Sequence, residues 1–212
     1  MITIFTKKDL EHFCDGLAQK DADLKSIITQ YGYPPLWVRT NTFETLVLTI
    51  LEQQVSLASA YAAFTKLKGK VTEVLPENIL RLTDEDLRAC YFSRQKIVYV
   101  RGLANAVASG EIDLAHLALQ PDDVVRAQLK KLKGIGDWTV DIYLLHALQR
   151  HDIFPLGDLA LVNAMKAVKG LDATVTKDEM LKIAEPWQPY RSFATMLLWH
   201  YYIQKRGLKI VH

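Results

Sequence analysis

An aspartate, two glycines, a threonine and a tryptophan stand at spacings that could do chemistry. Residues 129–139 read LKKLKGIGDWT, and Asp158 follows Trp138 by twenty positions. Gly134-Ile135-Gly136 places two glycines around one apolar residue, which suits a tight turn between helices. Backbone N–H groups there are unobstructed by side chains and open the next helix, a natural place for a phosphate. The Thr139 hydroxyl falls in the first turn after it and could share that phosphate with Gly134 and Gly136. Lys130, Lys131 and Lys133 add positive charge beside it. The same residues would also make an ordinary helix–helix turn, since glycine ends many helices. A phosphate grip followed by a carboxylate at a helix start suggests chemistry on DNA.

Asp158 has two compatible readings. Aspartate is a favoured helix N-cap, and the helix dipole there favours its ionised form. An ionised carboxylate can stabilise an oxocarbenium-like sugar or activate a water. Reach permits it to approach the glycine turn. A helix over 137–149 is about 20 Å long at about 1.5 Å per residue, and residues 150–157 can span roughly 26 Å when extended. Trp138 and Trp187 are either core rings or stacking partners for a base swung out of a duplex. Tyr143, Tyr190 and Trp37 are weaker candidates for the same use. Gln53-Gln54 closes the apolar run 46–51, either as a plain polar helix end or as a side chain entering the gap left by a flipped base. His151-Asp152 could suggest a general-base pair, but adjacent residues seldom face one another, so loop surface is the better reading.

The elements that must position these residues are helical almost throughout. Phe43, Leu46, Val47, Ile50 and Leu51 make one helix face, with Asn41 as cap and Glu44 three residues on. Ile97, Val100, Ala104 and Val107 continue the period until Gly110. Thr83 precedes the acidic turn Asp84-Glu85-Asp86. Residues 122–131 and 137–149 flank the glycine turn, and 158–168, 176–185 and 190–206 complete the set. Turns are short, at Tyr33-Pro34-Pro35, Pro76, Pro121, Phe154-Pro155 and Pro186. Residues 2–5 could be extended, with no second strand pattern to pair with them. The class is all-α.

Composition narrows the functions. A chain of 212 residues, 50% of them apolar, suits one domain or two closely packed subdomains. A net charge of only +2 is not that of a bulk nucleic-acid binder, so any DNA contact is local. Cys14 and Cys90 are the only cysteines. A disulfide framework, a zinc site and an iron–sulfur cluster all lack ligands. No stretch approaches ~20 apolar residues, and the start MITIFTKKDL has no signal-peptide pattern. A soluble, intracellular protein is expected.

Four segments together carry a resemblance. They are Leu51-Glu52-Gln53-Gln54-Val55-Ser56, Gly134-Ile135-Gly136-Asp137-Trp138-Thr139, Phe154-Pro155 with Asp158, and Trp187-Gln188-Pro189-Tyr190-Arg191-Ser192. Over residues 42–201 the chain resembles the helix-hairpin-helix DNA glycosylases, and within them the alkylpurine branch. The resemblance implies two helical subdomains with a DNA-binding cleft, residues 41–150 carrying the hairpin and residues 1–40 with 151–212 the other. It assigns Asp158 as the catalytic aspartate, and Gly134, Gly136 and Thr139 as phosphate contacts, with Lys133 beside them. It places Gln54, next to Gln53, near the side chain that fills the vacated space, and Trp138 and Trp187 near the base pocket. It implies a monovalent cation on the carbonyls of Lys130, Leu132 and Gly134, and no other cofactor. Relatives that also cut the backbone carry a lysine where this chain has Trp138. The implied reaction is therefore hydrolysis of the N-glycosidic bond of an alkylated purine in double-stranded DNA, by a monomer, with water as attacker. The site of action would be the bacterial or archaeal nucleoid, or a nucleus. The extra N-terminal β domain of some members is expected to be absent, and Ile142 stands where some relatives carry an aromatic. Two alternatives stay open: a bifunctional glycosylase–lyase, and a non-catalytic helix-hairpin-helix binding module.

Overall fold

The computed structural model describes residues 4–6 and 8–208. Thirteen α-helices follow in order: α1 (Asp9–Lys20), α2 (Ala22–Tyr31), α3 (Phe43–Glu52), α4 (Leu57–Lys70), α5 (Pro76–Arg81), α6 (Asp84–Ala89), α7 (Arg94–Ala108), α8 (Leu114–Ala118), α9 (Asp122–Leu129), α10 (Asp137–His146), α11 (Leu159–Lys169), α12 (Lys177–Ala184) and α13 (Arg191–Arg206). A 3₁₀ turn, Glu185–Trp187, precedes α13. No strand forms among the described residues, and the protein is all-α. Residues 2 and 3 of the extended segment expected at 2–5 lie outside the described residues. Ile4 makes an isolated antiparallel bridge with Arg150, and the Phe5 N–H donates to Gln149 O at 3.0 Å.

The chain divides into two compact units, residues 4–38 with 144–208, and residues 39–143. In the first, α13 is the central element. Its residues Ser192 to His200 are all buried, so this helix is surrounded rather than one-faced. The buried hydroxyls on it are satisfied locally: Ser192 Oγ donates to Arg150 O at 2.5 Å and Thr195 Oγ1 to Ile153 O at 3.2 Å. Phe5, Leu17, Leu24 and Phe193 fill the space around it, fully buried. Each such side chain contributes about 1.5–3 kcal/mol of transfer free energy. A partly buried ion pair ties α11 to the start of α2: Lys169 Nζ lies 2.6 Å from Asp21 Oδ2 and 2.8 Å from Asp23 Oδ2.

In the second unit α3 and α7 carry the apolar stripes read from the sequence. Phe43, Leu46, Val47, Ile50 and Leu51 are buried on α3; on α7 Ile97, Val100 and Ala104 are buried, whereas Val107 is only half-buried and Leu103, not read into the stripe, is buried. The expected cap of α3 is corrected. Thr42, not Asn41, is the N-cap, its hydroxyl accepting from the Thr45 N–H at 3.3 Å. Asn41 is drawn away by stronger long-range partners, donating to Leu114 O at 2.8 Å and accepting from the Tyr143 hydroxyl at 2.6 Å. Thr83 and Asp86 form a reciprocal capping box on α6. Lys70 and Thr83 hold the Asp86 carboxyl down at about 2. No helix among the described residues is long and apolar enough to cross a membrane.

Candidate functional site

The glycine turn joins α9 to α10. Its first residues stay close to helical, Leu132 N–H reaching Leu129 O at 3.1 Å and Ile135 N–H reaching Leu132 O at 3.1 Å. Gly134 then takes φ +88°, a left-handed value that side chains disfavour. A second constraint falls on the same residue. A Cβ on Gly134 would lie 2.1 Å from Tyr99 Cγ, because the Tyr99 ring lies flat against it. Ile135 is buried beneath the turn. Gly136 is exposed, and a Cβ there would meet nothing within 4 Å. Lys133 and Lys131 are exposed, whereas Lys130 pairs with Asp137 at 2.5 Å. The open face of the turn is thus Gly136 with Lys133.

Gln53 and Thr139 differ from expectation. The Gln53 amide donates to Gly134 O at 2.8 Å and to Thr139 Oγ1 at 2.9 Å. Thr139 is 2% exposed, so its hydroxyl faces Gln53 and the interior rather than a phosphate. Gln53 is a cross-brace between the end of α3 and the hairpin, not a DNA-facing side chain. Two further contacts fix the same helix end: Arg39 pairs bidentately with Glu52 at 2.5 and 2.9 Å, and Lys96 Nζ donates to Leu51 O at 2.6 Å. The exposed residue is Gln54, held at φ +57°. Gln53→Leu should cost about 1–3 kcal/mol, because two acceptors lose a partly buried donor. Urea unfolding would measure it, and a stability equal to wild type would reject the brace.

In the first unit, Asp158 is the half-buried N-cap of α11. Its Oδ1 accepts from the Leu161 N–H at 2.8 Å and from Trp199 Nε1 at 2.9 Å. The helix-cap reading of Asp158 is met, and the oxygen that caps the helix is also oriented by an indole. Trp199 was missed by the sequence reading. It is 9% exposed and stacks on His146 with ring centroids 5.4 Å apart and 4° between planes. Trp37 packs edge-on against the same indole at 6.3 Å. His146 Nδ1 lies 2.7 Å from Trp37 O, which fixes Nδ1 as the protonated nitrogen because a carbonyl only accepts. The only sequence sign of Trp199 was the run 193–199, apolar except at Thr195 and too continuous for a surface helix.

Other aromatic candidates sort by burial. Trp138 is half-buried in the first turn of α10. The stacking role expected of Trp187 is corrected. It is 1% exposed, its Nε1 donates to Asp21 Oδ2 at 2.8 Å, and Phe154 packs edge-on at 5.8 Å. A ring enclosed in this way offers no face to a base. Tyr143 is likewise fully buried, and Tyr190 is stacked on Phe13 at 4.4 Å. His151 is not loop surface: it is 8% exposed among Phe5, Phe13, Tyr190 and Phe193. Asp152 turns to Arg191 instead, at 2.7 Å through both oxygens. The two cysteines are buried and free, and burial pushes the Cys14 thiol up to about 12. Among the described residues no cluster of three or more His, Cys, Asp or Glu could hold a metal ion.

The sequence also matches known proteins. The model of the HhH-GPD superfamily base excision DNA repair proteins matches residues 47–189. A DNA-3-methyladenine glycosylase of Bacillus subtilis is 35% identical over 74% of this chain and 56% of its own length. DNA-3-methyladenine glycosylase 1 of Schizosaccharomyces pombe is 29% identical over 94% of this chain and 88% of its own. The solved structure of a Schizosaccharomyces pombe 3-methyladenine DNA glycosylase in complex with abasic DNA superimposes with a TM-score of 0.83 at 29% identity. It covers 89% of this chain and 95% of that one.

Proposed function

Because this chain belongs to the HhH-GPD superfamily of base excision DNA repair proteins, we propose that it is a monofunctional DNA glycosylase that releases alkylated purines of the 3-methyladenine type. The observation that carries the reading is the Asp158 carboxylate, fixed through Oδ1 at the start of α11 by a backbone N–H and an indole N–H. A carboxylate held this way cannot swing aside and faces developing positive charge without reorganisation. An alkylated purine carries positive charge and is a good leaving group, so little acid catalysis is needed. Asp158 would stabilise the oxocarbenium-like sugar and orient the attacking water. The C–N bond breaks with its electrons leaving on the purine, and the water, losing a proton to the Asp158 carboxylate, supplies the new C–O bond.

The remaining residues bind and position. Gly134, Gly136 and Lys133 would hold a phosphate of double-stranded DNA at the hairpin. Gln54, exposed at the end of α3, would enter the space left by the flipped purine, and Trp138 would stack on that purine. A monovalent cation would be held by the carbonyls of Lys130, Leu132 and Gly134. Leu132 O and Gly134 O each accept one hydrogen bond here, from Ile135 and Gln53, and a carbonyl keeps a second lone pair. The protein would act as a monomer.

The test is release of free base from alkylated duplex DNA, followed on the same DNA by alkali and by borohydride. The expected product is an intact abasic site that breaks only under alkali or heat. A borohydride-trapped covalent complex would instead show an amine nucleophile, Lys133 being the lysine nearest in sequence, and the bifunctional reading would replace this one.

A further inference from the structure

The end of α6 is built for a glycine and carries a tyrosine. The Tyr91 N–H donates to Arg88 O at 2.9 Å and the Phe92 N–H to Leu87 O at 3.2 Å. That is the paired hydrogen-bond pattern of a Schellman helix end, with Phe92 and Leu87 both buried as its apolar contact. The residue between them must be left-handed, and Tyr91 has φ +66°. At four other helix ends with positive φ this chain uses Gly32, Gly110, Gly170 and Gly207; Gln54 and Gln149 are the other non-glycine residues with positive φ among the described residues. Tyr91 is also 64% exposed. A bulky ring here costs backbone strain and leaves apolar surface in water, and the fold gains little from it.

The ring borders a feature that explains the cost. Tyr91 lines a cavity of about 270 Å³ with Leu51, Val55, Ala60, Ala63 and Lys96. Val55 is 45% exposed and directly follows Gln54 in the loop after α3. Lys66 Nζ lies 5.7 Å from the Tyr91 ring centroid. Neighbouring carboxylates do not neutralise this edge: Glu52 is paired with Arg39, Asp84 with Arg101 and Asp86 with Lys70. An exposed aromatic face, an aliphatic wall and the exposed ammonium of Lys66 make the combination that takes a nucleobase with its phosphate.

We propose that Tyr91 is a stacking platform for one base of the DNA duplex, with Val55 against that nucleotide and Lys66 facing its phosphate. The inference rests on the reading of this chain as a DNA glycosylase and adds to it a contact remote in sequence from both Asp158 and the hairpin. A left-handed backbone points the ring outward at a helix end, where a right-handed one would fold it back along α6.

The test uses Tyr91→Ala, Tyr91→Gly and Tyr91→Phe in the full chain, with a duplex carrying a tetrahydrofuran abasic-site analogue as probe. Tyr91→Ala and Tyr91→Gly should bind it roughly ten- to a hundred-fold more weakly, the range for one lost base stack. Tyr91→Phe should bind as wild type. Tyr91→Gly should melt at the same temperature or higher, because glycine relieves the left-handed strain. Stability and affinity then move in opposite directions, which a purely structural ring would not produce. Lys66→Ala should lower the slope of log Kd against log salt by about one contact. Wild-type affinity in Tyr91→Ala, with binding lost in Gly136→Leu, would overturn this proposal and leave the DNA reading intact. A wild type with no affinity for any duplex would sink both. A Tyr91→Ala change confined to oligomeric state would assign the surface to self-association and overturn the proposal.

Discussion

The Asp158→Asn protein will fold, bind duplex DNA and release almost no base. The Leu161 N–H and Trp199 Nε1 both donate to one oxygen of Asp158, Oδ1. Asparagine offers the same carbonyl oxygen at the same place and is as good an N-cap as aspartate. The cap of α11 and the indole contact therefore survive, and the melting temperature should move little. The negative charge is removed, and the second oxygen becomes an amide donor. A neutral amide neither stabilises a cationic sugar nor takes a proton from water, and loss of such a group costs at least about 100-fold in rate. Single-turnover release from alkylated DNA measures the rate, and fluorescence anisotropy on the same duplex measures binding. Wild-type turnover by the folded variant would reject Asp158 as the catalytic carboxylate. Loss of binding and turnover together would make it a structural cap alone.

Much of this arrangement was legible because it is local. The glycine turn is written in eleven consecutive residues, and Asp158 precedes an apolar helix as caps do. The stripe on α3 follows the helical period and lies buried as that period requires, and the stripe on α7 does so except at Val107, near the helix end, which is half-buried. What escaped the sequence is long-range. Gln53 reads as a polar helix end, and only its partners 81 and 86 residues away show that it braces the hairpin. Trp199 orients Asp158 across 41 residues. Asn41 and Thr42 are both good caps, and the choice between them was made by Leu114 and Tyr143, not by the helix. Trp187 and His151 look like site residues by type. Their burial comes from neighbours supplied by α1, α2 and α13, which no window around either residue contains.

Gly134→Ala should be the most damaging single methyl in the second unit. Two independent costs fall on one atom. The φ of +88° disfavours any L side chain by roughly 1–2 kcal/mol. The new Cβ would also sit 2.1 Å from Tyr99 Cγ, far inside contact distance, so ring or turn must move. Overpacking of this kind costs roughly a further 1–3 kcal/mol. Together they remove a large share of a net stability that is typically about 5–15 kcal/mol. The two terms can be separated experimentally. Tyr99→Ala in the same chain should relieve the clash and leave the backbone term, so the double mutant should be more stable than the two single losses predict, by about 1–3 kcal/mol. Gly136→Ala is the control, since its Cβ meets nothing within 4 Å and its φ is not positive. It should unfold in urea as the wild type does. Shifting the turn also moves Gly134 O away from the Gln53 amide, so Gly134→Ala should loosen the end of α3 and weaken duplex binding even where the protein remains folded. Strictly additive losses in the Gly134/Tyr99 cycle would show that the ring does not rest on the glycine, and the account of why this turn needs one would fail.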